Sequence, residues 1–188
     1  VVSLPASMRD SLDLSMPVDD WPSANDVVEL LVGRYANVLD VQVEGEEPDF
    51  LMWTALDLSH TYGDPSLRPA TEHLCIAILV LEGAITSAAS ANWDGLVESA
   101  IQQLAPVLAG HLRVVVLPHE LAEGAARFEL IKVHGCAVKA LENELVYRQA
   151  LVGRATQIAG WISRPENSLF RSYLENLAAT NCSLVVGL

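Results

Sequence analysis

The chain has 188 residues, 51% of them hydrophobic, which is enough apolar side chain to fill the core of one domain and excludes a disordered chain. The net charge is −13, from 24 acidic and 11 basic residues. A surface this acidic repels phosphate backbones, so we expect no direct nucleic-acid partner.

The N-terminal region lacks the basic and apolar segments of a secretory signal, and no apolar run approaches the roughly 20 residues of a membrane span. We therefore expect no membrane contact. The chain has three cysteines, far apart in the sequence: Cys75, Cys136 and Cys182. Their odd number predicts reduced thiols in the cytoplasm, and without a CxxC pair we expect no metal site.

The first half of the chain is mostly helical in pattern. Apolar residues recur at helical spacing over residues 25–40, 49–62 and 70–83, and each of these ranges is predicted to form a helix. Together they define a helical portion, residues 25–83, inserted in the N-terminal half. His111, His119 and Glu120 do not have the spacing of metal ligands, and we assign them to solvated segments.

From residue 84 the pattern changes to short apolar strands separated by helices. Strands are predicted at residues 84–90, 113–117, 128–133 and 183–186, and helices at 95–110, 144–162 and 166–180. This alternation predicts an α/β fold with a mostly parallel sheet flanked by helices over residues 84–188. The chain begins with Val1 and ends on an apolar run, so we expect one domain, 1–188, that continues beyond both ends.

Polar residues follow two of the predicted strands. Ser90, Asn92 and Asp94 follow the first, and His134-Gly135 follows the strand at 128–133. Ligands of parallel α/β folds bind at the carboxyl ends of strands. A histidine with a pKa near 6.5 suits a general base, and an asparagine can both donate and accept hydrogen bonds.

Structural roles for the same residues stay open. Asp94 precedes the 95–110 helix and can cap it, and Asn92 can be a turn residue. His134 alone can be a histidine held at a strand end. The functional interpretation depends on the combination of these residues at two strand ends.

Three segments together resemble the sirtuin-like family, in particular the NAD-hydrolysing domains of bacterial anti-phage systems. They are Ser90-Ala-Asn-Trp-Asp-Gly-Leu-Val-Glu98, Leu130-Ile-Lys-Val-His-Gly135 and Leu184-Val-Val-Gly-Leu188. The resemblance covers roughly residues 70–188. It implies a Rossmann-like domain with a helical insertion that takes NAD as its substrate.

The resemblance also implies roles for individual residues. His134 matches the general base, Asn92 matches the residue that holds the ribose and the reactive water, and Asp94 matches the one near the nicotinamide amide. Gly135 completes the His-Gly motif. Ala91 stands where the family commonly has a threonine, so Ser90 is expected to supply the pocket hydroxyl. A latent cytoplasmic effector of this kind implies self-association or a sensor domain as partner.

Two departures from the family bear on activity. The Gly-Ala-Gly loop expected after a first strand is absent from the sequence, so we expect residues 1–188 alone to be inactive. The zinc-binding cysteine pairs of deacylating sirtuins are absent too, which favours NAD cleavage over deacylation. The alternatives are a catalytically degenerate module for NAD or ADP-ribose binding or assembly, and an α/β domain unrelated to NAD.

Overall fold

The computed structural model describes residues 13, 15–64, 66–122, 126–180 and 182–186. The chain divides into two compact units, Val1–Leu56 with Gly153–Ile158 and Asp57–Val152 with Ala159–Leu188. The second unit contains the sheet and both polar strand-end motifs. It also contains two helices of the predicted helical portion, because it begins at Asp57.

The sheet has three parallel strands, β1 (Ser87–Ser90), β2 (Leu112–Val115) and β3 (Phe128–Lys132). Their order is β1-β3-β2, with Ser90 opposite Lys132 and Val115 opposite Ile131. The predicted parallel sheet is therefore confirmed. Since all three strands run the same way, their carboxyl ends share one edge of the sheet.

In the described residues, α-helices occupy Ala24–Val32 (α1), Tyr35–Leu39 (α2), Leu58–Gly63 (α3), Thr71–Leu81 (α4), Leu96–Leu104 (α5), Ala137–Glu142 (α6), Glu144–Tyr147 (α7), Ala155–Gly160 (α8) and Ser168–Thr180 (α9). Short 3₁₀ helices occupy Val18–Asp20, Pro106–His111, Pro118–Ala122, Arg148–Ala150, Trp161–Ser163 and Pro165–Asn167, and a π-helix occupies Leu51–Ala55. Nowhere in these ranges is a helix both long and apolar enough to cross a bilayer.

Each face of the sheet packs against helices, as alternation along a strand requires. Phe128 and Leu130 of β3 pack on one face with buried residues of α4 and α5, namely Ala77, Val80, Ala100 and Ile101. Ile131 of β3 and Val115 of β2 pack on the other face against Phe170 of α9. The prediction of a sheet flanked by helices is thus confirmed for this unit.

The predicted helix at 144–162 is wrong. The chain leaves helical geometry after Ala150, with Leu151 extended at φ −68° and ψ 124°, and becomes helical again at Ala155. Leu151 and Val152 are buried, and the Val152 amide donates to the His134 carbonyl at 2.9 Å. Because the Val152 amide donates to a residue distant in the sequence, it does not form the hydrogen bond that a continuous helix would require.

Three other predicted helices are shorter than expected or interrupted. Residues 25–40 form two helices separated at Gly33, and residues 49–62 are divided at Asp57, whose φ is +44°. The helix at 95–110 ends as α5 at Leu104. Pro106, which has no amide hydrogen to donate, begins a 3₁₀ helix there.

The predicted strand at 183–186 is also wrong. Residues 182–186 form no strand, and Leu184, Val185 and Val186 are exposed. Strand propensity reflects packing on a pleated, half-buried surface more than an intrinsic backbone preference. An apolar run that is neither paired nor buried therefore stays irregular.

Replacing Ile131 with alanine should destabilise the second unit, because Ile131 is fully buried between β2 and α9. Truncation of a core isoleucine costs about 2–5 kcal/mol of the free energy of unfolding. Urea denaturation checks this, with Ile162→Ala as control, since Ile162 is 61% exposed. Equal losses in the two variants would contradict the assigned core.

Candidate functional site

The two polar strand-end motifs lie at the same edge of the sheet. β1 and β3 are neighbours, and the Val133 amide donates to the Ser90 carbonyl at 3.0 Å, which extends their pairing beyond both strands. The segments that carry Asn92 and His134 therefore leave adjacent parallel strands in the same direction. The structure brings these predicted segments together at the carboxyl edge, the usual ligand site of parallel α/β sheets.

Two polar side chains that were predicted to contact a ligand, Ser90 and Asp94, form hydrogen bonds within the loop after β1 instead. The Ser90 hydroxyl accepts a hydrogen bond from the backbone amide of Asn92 at 3.1 Å. The Asp94 carboxylate accepts one from the Leu96 backbone amide at 3.0 Å, which forms a turn just before α5, whose N-cap is Gly95. The Asn92 side chain is exposed. Of these three residues, Asn92 is the one whose side chain faces solvent most openly.

Gly135 closes the turn after β3. Its amide donates to the Lys132 carbonyl at 3.1 Å, and its φ of +89° lies in the region that favours glycine. A Cβ at this position would lie 2.7 Å from the Ala150 carbonyl oxygen. Only glycine fits both the backbone conformation and this close approach.

A segment that we name the strap, Ala150–Val152, crosses the turn after β3. The Val152 amide donates to the His134 carbonyl, and the Val152 carbonyl accepts from the Trp93 indole at 3.3 Å. The Trp93 carbonyl in turn accepts from the Ala137 amide at 2.9 Å. Trp93 therefore links the loops after β1 and β3 to the strap.

The His134 imidazole is half-buried, and its ring centroid lies 6.3 Å from that of Trp161 in an edge-on arrangement. Burial removes water from the ring, disfavours the imidazolium and lowers the pKa of His134 below its ordinary value of 6.5. His134 is therefore neutral at neutral pH. A neutral imidazole is the form that can accept a proton as a general base.

Lys132, the last residue of β3, is a member of the same edge that the sequence interpretation missed. It is fully buried, donates to the Asp94 carbonyl and pairs with the Glu98 carboxylate of α5 at 3.1 Å. The available signal was a lysine inside an apolar strand, which is rare unless the charge is paired.

Glu120, predicted to lie in a solvated loop, is buried at the carboxyl end of β2. Its carboxylate accepts from the amides of Val116 at 2.6 Å and Leu117 at 2.8 Å and from the Tyr147 hydroxyl at 2.7 Å. Desolvation raises the pKa of Glu120, but these hydrogen bonds and the Lys139 charge outweigh it and leave the pKa lowered. His111 and His119 are exposed, as expected.

Two cavities in the described residues lie away from His134 and Asn92. One is apolar and lies by the opposite edge of the sheet, where Leu112 and Phe128 begin β2 and β3. The other is an open depression on the first unit, beside Asp26 and Arg34. Across the described ranges, no group of three or more histidine, cysteine, aspartate or glutamate residues is placed to hold a metal ion.

Comparison with protein-family models, with curated proteins and with solved structures finds no match to this chain. The resemblance to the sirtuin-like family therefore depends on the quoted motifs. Two of them lie at the carboxyl edge of the sheet, whereas residues 184–186 of the third form no strand.

Replacing Gly135 with alanine should cost more stability than replacing Gly83. Both glycines have positive φ, +89° and +75°, but only at Gly135 does an added Cβ meet backbone atoms within 4 Å. We expect Gly83→Ala to cost about 1–2 kcal/mol from backbone strain alone, and Gly135→Ala clearly more. Urea denaturation of both variants measures the difference, and equal losses would mean that the strap does not lie against the turn.

Acidification should weaken the fold in a window set by His134. Because its folded pKa is below 6.5, the unfolded chain binds more protons than the folded protein as the pH falls from 6.5 toward the folded pKa. The free energy of unfolding should therefore decrease over this window. Replacing His134 with glutamine should remove that decrease. The matched control His119→Gln, at an exposed position of the 3₁₀ helix Pro118–Ala122, should keep this decrease.

Proposed function

We propose that the chain is a Rossmann-like domain of the sirtuin-like family that hydrolyses NAD to nicotinamide and ADP-ribose. The observation that supports this most strongly is the placement of Asn92 and His134 after adjacent parallel strands, at one edge of the sheet. In the sirtuin-like motifs that the chain resembles, these two positions carry the reaction.

Hydrolysis of NAD to nicotinamide and ADP-ribose does not need a general acid. The bond from nicotinamide to the ribose breaks through an oxocarbenium-like state, as in glycoside hydrolysis. Nicotinamide is a cation before cleavage and leaves neutral, so no general acid is required. Water forms the new bond to the ribose carbon and gives up one proton, which a base must accept.

In this proposal His134 is that base. Its lowered pKa keeps the imidazole neutral, and the strap holds its carbonyl in place while the turn at Gly135 directs the chain away. Asn92, exposed in the loop after β1, orients the ribose hydroxyls and the attacking water. Ser90, Asp94 and Gly135 form the remainder of the NAD contact surface.

We further propose that the domain is a latent cytoplasmic effector in a bacterial defence system. Uncontrolled loss of NAD is toxic to the cell that contains the enzyme, so activity has to wait for self-association or for a sensor domain. This part of the proposal is an analogy with the family.

A second candidate function is a module that binds NAD or ADP-ribose, or mediates assembly, without catalysis. Two hydrogen bonds favour it, because the Ser90 hydroxyl and the Asp94 carboxylate, both predicted to contact NAD, each already have a partner within the chain. Both residues then shape the loop after β1 and contribute less to a reaction.

Nicotinamide release from NAD by the full-length protein in its activated state distinguishes these functions. We expect His134→Ala and Asn92→Ala each to reduce release by at least about 100-fold, the size of effect for lost acid-base catalysis. The matched controls His119→Ala and Asn37→Ala, both at exposed positions, should release nicotinamide at the wild-type rate.

Each other outcome of this experiment has a defined meaning. Release that persisted in both site variants would refute the assignment of His134 and Asn92. Binding of ADP-ribose by the wild type, measured by calorimetry, without nicotinamide release would favour the binding module. A wild-type protein that neither bound ADP-ribose nor released nicotinamide would refute both NAD hydrolysis and the ligand-binding module, and would leave assembly as the second candidate function.

A further inference from the structure

Lys132 is an unusual residue for its position. It ends the central strand of the sheet, and only 1% of its surface is exposed. A buried ammonium is costly unless it is paired and hydrogen-bonded. Its contacts therefore indicate what the charge does at this edge.

The Lys132 ammonium reaches across to the neighbouring strand-end loop. It donates to the Asp94 carbonyl and pairs with the Glu98 carboxylate, which lies in the first turn of α5. The second carboxylate oxygen of Glu98 is buried and has no hydrogen-bond partner in the described part of the chain. Lys132 is therefore the principal partner of this partly buried carboxylate within the described residues.

Backbone hydrogen bonds on both sides of Lys132 connect the same two loops. The Val133 amide donates to the Ser90 carbonyl, and the Ala137 amide donates to the Trp93 carbonyl. Asn92 lies between the two acceptors, in a segment with few other ties to β3. The Lys132 ammonium adds a third connection at Asp94, directly after this segment.

We propose that Lys132 is a positioning residue that holds the Asn92 loop, through the Asp94 carbonyl, at a fixed place beside the strand end that carries His134. The importance of this for NAD cleavage depends on the function proposed above. The hydrogen bond from the Lys132 ammonium to the Asp94 carbonyl, which we name the tether, does not depend on that function, because it fixes the loop whatever the loop binds.

An apolar residue of similar length would fill the space of Lys132 without the cost of burying a charge. Replacing a buried ion pair with apolar residues of similar volume is often neutral or stabilising. A lysine here is thus poorly explained by stability alone. Lysine at this position donates a hydrogen bond to the Asp94 carbonyl of the loop, and methionine has no donor that could replace it.

Three variants separate the tether from the ion pair. Lys132→Met leaves the partly buried Glu98 carboxylate without its ammonium partner, so we expect a drop in the melting temperature. Lys132→Met combined with Glu98→Gln removes both charges and should restore the melting temperature to near the wild-type value. Glu98→Gln alone keeps the ammonium available to the Asp94 carbonyl and should keep the loop in place.

Hydrogen exchange of the Ala137 amide reports the loop position, because its acceptor is the Trp93 carbonyl. In the double variant we expect this amide to exchange at least about tenfold faster than in the wild type, and nicotinamide release to fall at least about tenfold. In Glu98→Gln both should stay within about twofold of wild type. The control is the double variant Glu144→Gln with Arg148→Met, which removes a more exposed ion pair.

A double variant with wild-type exchange at Ala137 and wild-type release would overturn the proposal and leave Lys132 a structural ion-pair partner. The same loss in Glu98→Gln as in the double variant would overturn it too, because the tether would then not be the cause. If the wild type released no nicotinamide, the proposed function would fail, and the exchange measurement would still decide the role of Lys132.

Discussion

The parallel pairing of β1 with β3 is the constraint on which the candidate site depends. A parallel pair has both carboxyl ends at one edge, so the loop with Asn92 and the turn with His134 become neighbours as soon as the two strands pair. An antiparallel arrangement of the same strands would place the two motifs at opposite edges. Three further features adjust this placement: the turn at Gly135, the turn that Asp94 forms before α5, and the strap over the turn after β3.

The features that were predictable from sequence are those set by local pattern. Short apolar runs predict the strands, and their alternation with helices predicts the parallel pairing and the flanking layers. The polar residues directly after the strands predict where a ligand would bind. Pro106 is the local signal in the sequence for the early end of the 95–110 helix, because proline has no amide hydrogen to donate.

The features that were not predictable arise from contacts between residues distant in the sequence. Gly153 is a local signal that a helix can end near Leu151 and Val152, but nothing in the sequence indicates that the Val152 amide would donate to the His134 carbonyl. Glu120 resembles a solvated loop residue until the folded chain provides two amides, a tyrosine and a lysine around it. Lys132 interrupts an apolar strand, and its explanation lies on α5. In each case burial in the folded structure overrides local propensity.

The spacing of the strands along the chain has a consequence for the order of folding. β2 and β3 pair residues that are close in sequence, such as Leu112 with Phe128, whereas β1 and β3 pair Ser87 with Glu129. Closing the longer loop costs more chain entropy, and non-local pairings form more slowly. Chain entropy therefore favours pairing of β2 with β3 before β1 joins them. The edge with Asn92 and His134 exists only in chains in which β1 has paired with β3.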